Sequence, residues 1–580
     1  MTAVGTEPLV RAASLADLRT SGRLVVHVDR HTLCLFADGD EVYAVDNRCP
    51  HMGFPLHRGT LCDGILTCHW HHARFDLSTG GTFDQWADDL RRFPVELHGD
   101  DVLLDLSPLE DMVEHQRKRL RDGLERDIPL VLAKATLALL KADPTGVQTF
   151  CEGLDFGVAR RGGGWFRGLT TLTCLMNLLP RLEQADRAAA LHHGLADVAA
   201  DSAGEPPRFR LDPLPGPADP AQLARWFRGF IEVRDAEGAE RALVSAAQAG
   251  APPQELADML FAAATDHRYL DGGHTLDFVN KALEALDVVG WERAEVVLAS
   301  LPTQLAGAER MEEANAWRNP VDLVALLDDA FARLPDALSA APDTGWTGRE
   351  ALVEAVLGED PAASIEALLT ALCDGASEVE LASAVSFAAV IRIARFPTSN
   401  EFGDWDTALH TFTFANAVEQ GLRRSASPEL ARGVFDAAMS IHLDRFLNVP
   451  AARLPAPDLD ADPDMLLEEL PRVLDRQQQV AEAGQLVASF LGAGGDPGRL
   501  VAALGAALVR EDRNFHTIQC VEAAVRQHQL LATGDAPGLP LIAAARYLAA
   551  HAATTRSQRQ TFEIARRLHR GEKLYEDIEV

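Results

Sequence analysis

Two short pairs of metal-binding side chains stand close together near the start of this 580-residue chain. Cys49-Pro50-His51 is followed, sixteen residues on, by Cys68-His69-Trp70-His71. Two thiolates and two imidazoles in Cys-x-His and Cys-x-x-His spacing suit one tetrahedral zinc ion. Zinc motifs rarely pair the two across this gap, and the set better suits a two-iron, two-sulfide cluster in which imidazoles replace the thiolates on one iron. A neutral imidazole carries less negative charge than a thiolate, so the second arrangement favours the reduced cluster and raises its potential. His57, His69 and His72 flank the pairs and read as solvated or supporting side chains.

A second set of candidates lies far downstream. His274, His410 and His516 each precede a threonine and are each expected to open a helix, in HTLDFVNKAL, HTFTFANAVE and HTIQCVEAAV. Asp271, Asp406 and Asp512 stand about one helical turn before them, His267 precedes the first, and His442 and His551 lie on later helices. Imidazoles and carboxylates at equivalent places of a repeated unit face a common groove, where they could ligate a non-haem iron. The competing reading is capping chemistry, an Asp before a His-Thr pair copied by duplication. Glu-x-x-His pairs are absent, which disfavours a ferritin-like di-iron bundle.

The elements that must position these groups differ in the two parts of the chain. Up to residue 107, short runs such as Leu24–Val28, Thr32–Phe36 and Glu41–Val45 alternate with turn residues, the pattern of a small all-β domain. Residues 108–128 are highly charged with helical spacing and predict a solvated linker helix, with Ser107 as cap and Pro108 in its first turn. From 129 to 580 apolar residues recur at three and four, so this part is expected to be all-α. It also repeats. Stretches beginning at Ala239, Ser364 and Ala483 each predict a helix ended near glycine and a second helix, followed by the His-Thr segment. A weaker fourth copy places TTLTCLMNLL, from Thr170, where the histidine would stand. Three to four units of about 110–130 residues would stack on their neighbours.

The stretch CPHMGFPLHRG…CHWHHARFDLSTGG resembles the Rieske [2Fe–2S] family, over residues 8–107. The resemblance implies a cluster held by Cys49, His51, Cys68 and His71, from two loops at one end of a small β-barrel, with the imidazoles near the surface. Respiratory-chain Rieske proteins carry an extra cysteine in each loop, and a Ser and a Tyr that hydrogen-bond the cluster sulfurs. Phe54, Trp70, Ala73 and Phe75 stand in the corresponding places here. Without those donors the expected potential is near the low end of the Rieske range, on the order of −150 mV, as in the ferredoxin and oxygenase types. The His-x4-His and later Asp of a Rieske oxygenase's catalytic domain are not found. The helical part resembles, in its His-bearing helices, cofactor-poor oxygenases of the questin-oxidase kind, without a motif to align, so no residue is carried across.

Composition limits the partners. With 86 acidic and 54 basic residues the formal charge is −32, which repels nucleic acid and anionic lipid. Eight scattered cysteines form no disulfide framework, and neither an export signal nor a spanning segment is seen, so the chain reads as cytoplasmic. The Gly-rich runs Arg160–Gly164 and Gly492–Gly498 follow no strand, so neither is a dinucleotide loop. Reducing power would therefore come from a separate reductase or ferredoxin. The resulting expectation is an oxidoreductase whose cluster feeds a histidine-rich site that oxidises a small organic substrate. Two alternatives are a Rieske electron carrier tethered to a scaffold that docks another oxygenase, and a redox sensor.

Overall fold

In a computed structural model, residues 9–107, 112–216, 219–340, 345–531, 536–551 and 555–575 are described. They form two compact units, one from Met1–Glu152 with Gln558–Val580 and one from Gly153–Ser557.

The first unit opens with ten short strands: β1 (Val10–Ser14), β2 (Arg23–Val28), β3 (His31–Asp38), β4 (Glu41–Asp46), β5 (Thr60–Cys62), β6 (Ile65–Thr67), β7 (Arg74–Asp76), β8 (Arg92–Phe93), β9 (Val95–His98) and β10 (Asp101–Leu104). They pair antiparallel in three sheets, β1-β10-β9, β2-β3-β4-β8 and β5-β6-β7. Strand β3 shows why the domain holds together. Its side chains alternate between faces, Leu33 and Leu35 joining one core with Phe93 and Leu104, Cys34 and Phe36 joining another with Leu66 and Phe75. The second core lies under the loops that follow β4 and β6, which carry the two Cys/His pairs.

The unit extends past the boundary expected at residue 107. Pro108, expected to open the linker helix, lies outside the described residues; the helix there spans Met112–Arg126. It is not simply solvated, because Leu120, Gly123 and Leu124 are buried, and Arg119 donates to the Ala87 carbonyl and pairs with Asp88 at 3.1 Å. Gly123 leaves room for Leu132 of the next helix, Pro129–Ala142: a Cβ would approach that side chain to 2.8 Å. The C-terminal helix, Ser557–His569, returns to this unit, where the Leu568 side chain packs at Gly53 of the first ligand loop.

The second unit is helical, and among the described residues no helix of the chain is long and apolar enough to cross a membrane. Helix pairs stand at the three places expected: Ala236–Gln248 with Pro253–Ala264, Pro361–Cys373 with Glu378–Ala394, and Val480–Gly492 with Pro497–Arg510. After each comes a helix bearing a His-Thr pair: His274–Val289, Phe402–Arg424 and Phe515–Leu530. With Arg167–Leu178, which holds the Thr170 segment, these four pack in a closed circuit, each against the next.

One expectation needs correcting. His274 and His516 stand at helix starts, whereas His410 lies two turns inside its helix. A capping box between Glu401 and Asp404 begins that helix earlier than the repeat requires.

Candidate metal centres

The first centre is built by two tight loops. Backbone hydrogen bonds from Cys49 to Phe54 (2.9 Å) and from Gly53 back to Cys49 (2.8 Å) close one loop, and one from Cys68 to Ala73 (2.8 Å) closes the other. Cys49 and Cys68 are buried, and the hydrogen bond between their thiols pulls Cys68 down in pKa, with the Trp70 and His71 N–H groups assisting against burial. The His51 and His71 rings meet edge to face with centroids 4.8 Å apart. Burial, with Lys134 and His71 adding to it, lowers His51 to about 4, so its imidazole is neutral at neutral pH. Its Nδ1 is buried without a hydrogen-bond partner. Two paired thiols and two facing imidazoles, one with an orphaned buried nitrogen, fit the mixed ligand set of a Rieske cluster.

Of the flanking histidines, His57 pairs with the Asn47 side chain, His69 with the Thr60 hydroxyl at 2.6 Å, and His72 occupies an exposed positive-φ turn. His71 is exposed, but His51 is half-buried beneath Trp86, whose ring lies 4.5 Å away. Lys134 buries its ammonium against the same loop, donating to the Pro50 carbonyl at 2.7 Å and to that of His51. Burial lowers it to about 8. Tyr575 packs on Phe54 and Trp70 at 5.4 and 6.1 Å. Lys134, Trp86 and Tyr575 were not singled out from sequence, although a lone cation within the apolar run Ile128–Leu140 was a visible signal.

The second centre joins three of the predicted histidines. One ring nitrogen from each of His274, His410 and His516 falls within 4.8 Å of the others, and His410 Nε2 lies 3.0 Å from His516 Nε2. His274 Nδ1 is buried and has no partner. Burial and neighbouring imidazoles lower His274 to about 3 and His410 to about 4, leaving both neutral. Asp406 stands behind His516, with Oδ2 3.5 Å from Nδ1, and its Oδ1 lies 3.4 Å from His551 Nε2 and accepts from Tyr547. Burial opposes ionisation of Asp406, but the hydrogen bonds from His516, His551 and Tyr547 outweigh it and hold the carboxyl well below the usual carboxylate range.

The threonine after each histidine anchors its helix, Thr275 on Asp271 (2.9 Å), Thr411 on Asp444 (2.7 Å) and Thr517 on Asn514 (2.7 Å). The expected aspartates are not the caps. Gly273, Glu401 and Asn514 occupy those positions.

The remaining candidates do not join the three imidazoles. His267 is clamped between Glu312 (2.6 Å) and Glu232 (2.7 Å), which raise its pKa. Asp512 accepts from the Ser557 backbone N–H at 3.0 Å, and His442 ends the helix Pro428–Leu443 beside Arg445. Below the histidines the circuit encloses a polar layer unforeseen from sequence. Lys281 donates to Glu284 (2.9 Å) and Glu522 (2.6 Å), Asn177 to the same two carboxylates, and Gln519 to Asp277. Polar residues three and six positions after each histidine were its signal. A cavity of about 550 Å³ opens beside the centre, with His274 and His516 in its wall.

The β-domain and its ligand loops define an iron–sulfur electron carrier, and the chain belongs to the Rieske [2Fe–2S] family. The model of the Rieske [2Fe-2S] domain matches residues 9–94. The ferredoxin component of the naphthalene 1,2-dioxygenase system of Pseudomonas aeruginosa is 31% identical over 103 residues, 18% of this chain and 99% of that protein. Apoptosis-inducing factor 3 of Mus musculus is 34% identical over 89 residues, 15% of each protein, so the chain spans only a small part of that relative's length. Among solved structures, the ferredoxin of carbazole 1,9a-dioxygenase from Nocardioides aromaticivorans IC177 matches with 28% identity and a TM-score of 0.17, covering 17% of this chain and all of that one.

Proposed function

We propose that the protein is a cytoplasmic oxidoreductase in which the Rieske domain collects electrons from a separate reductase or ferredoxin. The helical unit uses them at an iron held by His274, His410 and His516 to oxidise a small organic substrate. The observation behind this reading is the meeting of three imidazoles from three helices, one with an orphaned buried nitrogen and one backed by a carboxylate. A carboxylate–imidazole pair of this kind fixes the tautomer and orientation of a metal-binding histidine.

When bound, the [2Fe–2S] cluster supplies single electrons. Cys49 and Cys68 would hold one iron, His51 and His71 the other. With dioxygen as oxidant, converting C–H to C–OH consumes two electrons and two protons and releases one water. Two electron deliveries are therefore needed per turnover. Asp406 holds His516 with Nε2 turned to the centre, while Tyr547 and His551 hold Asp406.

Iron counting tests the reading. Purified protein is expected to hold more than two irons per chain, and the His410→Ala/His516→Ala variant to lose the excess while keeping the cluster's visible spectrum. Two irons per chain in both would refute it. That outcome would favour a tethered electron carrier that docks a separate oxygenase, which the ferredoxin-component relatives also suggest.

A further inference from the structure

The wall of the cavity beside the three histidines holds chemistry that the reading above leaves unused. The Gly-rich run Arg160–Gly164 folds so that the Arg161 guanidinium lies 4.1 Å over the Phe166 ring and donates to the Gly164 carbonyl at 3.2 Å. Glycine makes this possible twice. A Cβ at Gly163 would stand 2.7 Å from Arg161 Nη1, and one at Gly164, whose φ is +78°, would stand 2.0 Å from the Ser300 carbonyl oxygen. The Arg167 guanidinium also lies 4.7 Å from the Phe166 ring centroid.

Among the described residues neither guanidinium has a carboxylate partner, in a chain with 32 more acidic than basic residues. The acidic group in the same wall, Asp271, is already engaged. Its Oδ1 accepts from the Glu309 N–H at 2.7 Å and its Oδ2 from the Thr275 hydroxyl at 2.9 Å. In the same wall, Phe278 and Phe515 lie 5.5 and 5.6 Å from the His274 ring.

Two cations gathered at one ring without a counter-charge repel each other, and a bound anion lessens that repulsion. A guanidinium meets a carboxylate with paired, charge-assisted hydrogen bonds. The volume, about 550 Å³, suits a small organic molecule. We propose that this cavity binds a small carboxylate with an aromatic body, its charge held by Arg161 and Arg167 and its ring placed among Phe166, Phe278 and Phe515, facing His274 and His516. The proposal rests on the reading of the three histidines as the reacting centre, and it assigns the Gly-rich loop to substrate recognition.

The test is calorimetric titration of the full chain with benzoate and with the uncharged isostere benzamide, in metal-stripped and ferrous-loaded protein, with iron counted in each sample. Benzoate is expected to bind in both forms, and the Arg161→Gln/Arg167→Gln variant to bind it at least about tenfold more weakly with unchanged iron content and circular dichroism. Benzamide is expected to bind wild-type and variant alike. Equal binding of benzoate by wild-type and variant, or no benzoate binding at all, overturns the proposal. So does benzoate binding confined to ferrous-loaded protein and insensitive to the arginine changes, which would make it a metal ligand. Arginine-dependent benzoate binding in protein with only two irons per chain supports the anion site and separately refutes the metal.

Discussion

At the scale of single residues, Asp406 and Lys134 each touch a proposed metal centre through one neighbour. Removing the Asp406 charge while keeping its shape, as Asp406→Asn, leaves His516 free to turn. The expected loss of iron affinity at the three-histidine centre is roughly 10- to 100-fold by metal titration, with the Rieske spectrum unchanged. Lys134 places a buried cation on the carbonyls of Pro50 and His51. A cation favours the more negative, reduced cluster, so it raises the potential and offsets the missing hydroxyl donors. Lys134→Met should lower the midpoint by roughly 30–100 mV in a redox titration, on the order of 1–2 kcal/mol for one electron. In the metal-free chain, His274 and His410 stay neutral to about 3 and about 4, below the 6.5 of an unfolded histidine. The unfolded chain therefore binds the extra protons first, and stability falls as the pH drops below 6.5 toward 4. Urea denaturation should show a loss on the order of 4 kcal/mol between pH 7 and 5, about 2 for each histidine, that is absent in His274→Gln/His410→Gln. The two Cys/His pairs were legible because their spacing is local. Lys134 was not, because only the fold shows which carbonyls it meets.

At the scale of elements, the helix pairs were legible because glycine stops and period 3.6 are written in consecutive residues. The closed circuit of four helices was not, since periodicity marks a buried face without naming its partner. The start of the His410 helix was misread because an earlier capping box overrode the repeat. Close approach holds the circuit's Thr170 helix in place. A Cβ on Gly168 would come within 2.5 Å of the Asp197 carbonyl oxygen and 2.8 Å of the Val198 Cα. Backbone atoms cannot turn aside as side chains do, so Gly168→Ala should cost about 1–3 kcal/mol, read from the urea midpoint. Because Arg167 adjoins it, benzoate affinity should fall in the same variant.

At the scale of the whole molecule, the two-part organisation was legible from the change in composition near residue 107. The membership of the last helix was not, because a contact across some five hundred residues leaves no local mark. The charge of −32 bears on encounter with an electron donor. If the donor presents a basic face, stopped-flow reduction should slow by roughly an order of magnitude between about 50 and 500 mM salt. A rate indifferent to salt would exclude such steering.

The packing of Tyr575 on Phe54 and Trp70 also orders events during synthesis. The aromatic side chain that roofs the ligand loops is made some five hundred residues after them. At typical elongation rates the interval is roughly half a minute to a minute and a half, during which the nascent thiols stay open to the machinery that delivers iron and sulfide. A chain released early would keep that doorway ajar, and its cluster would be the first part to bleach.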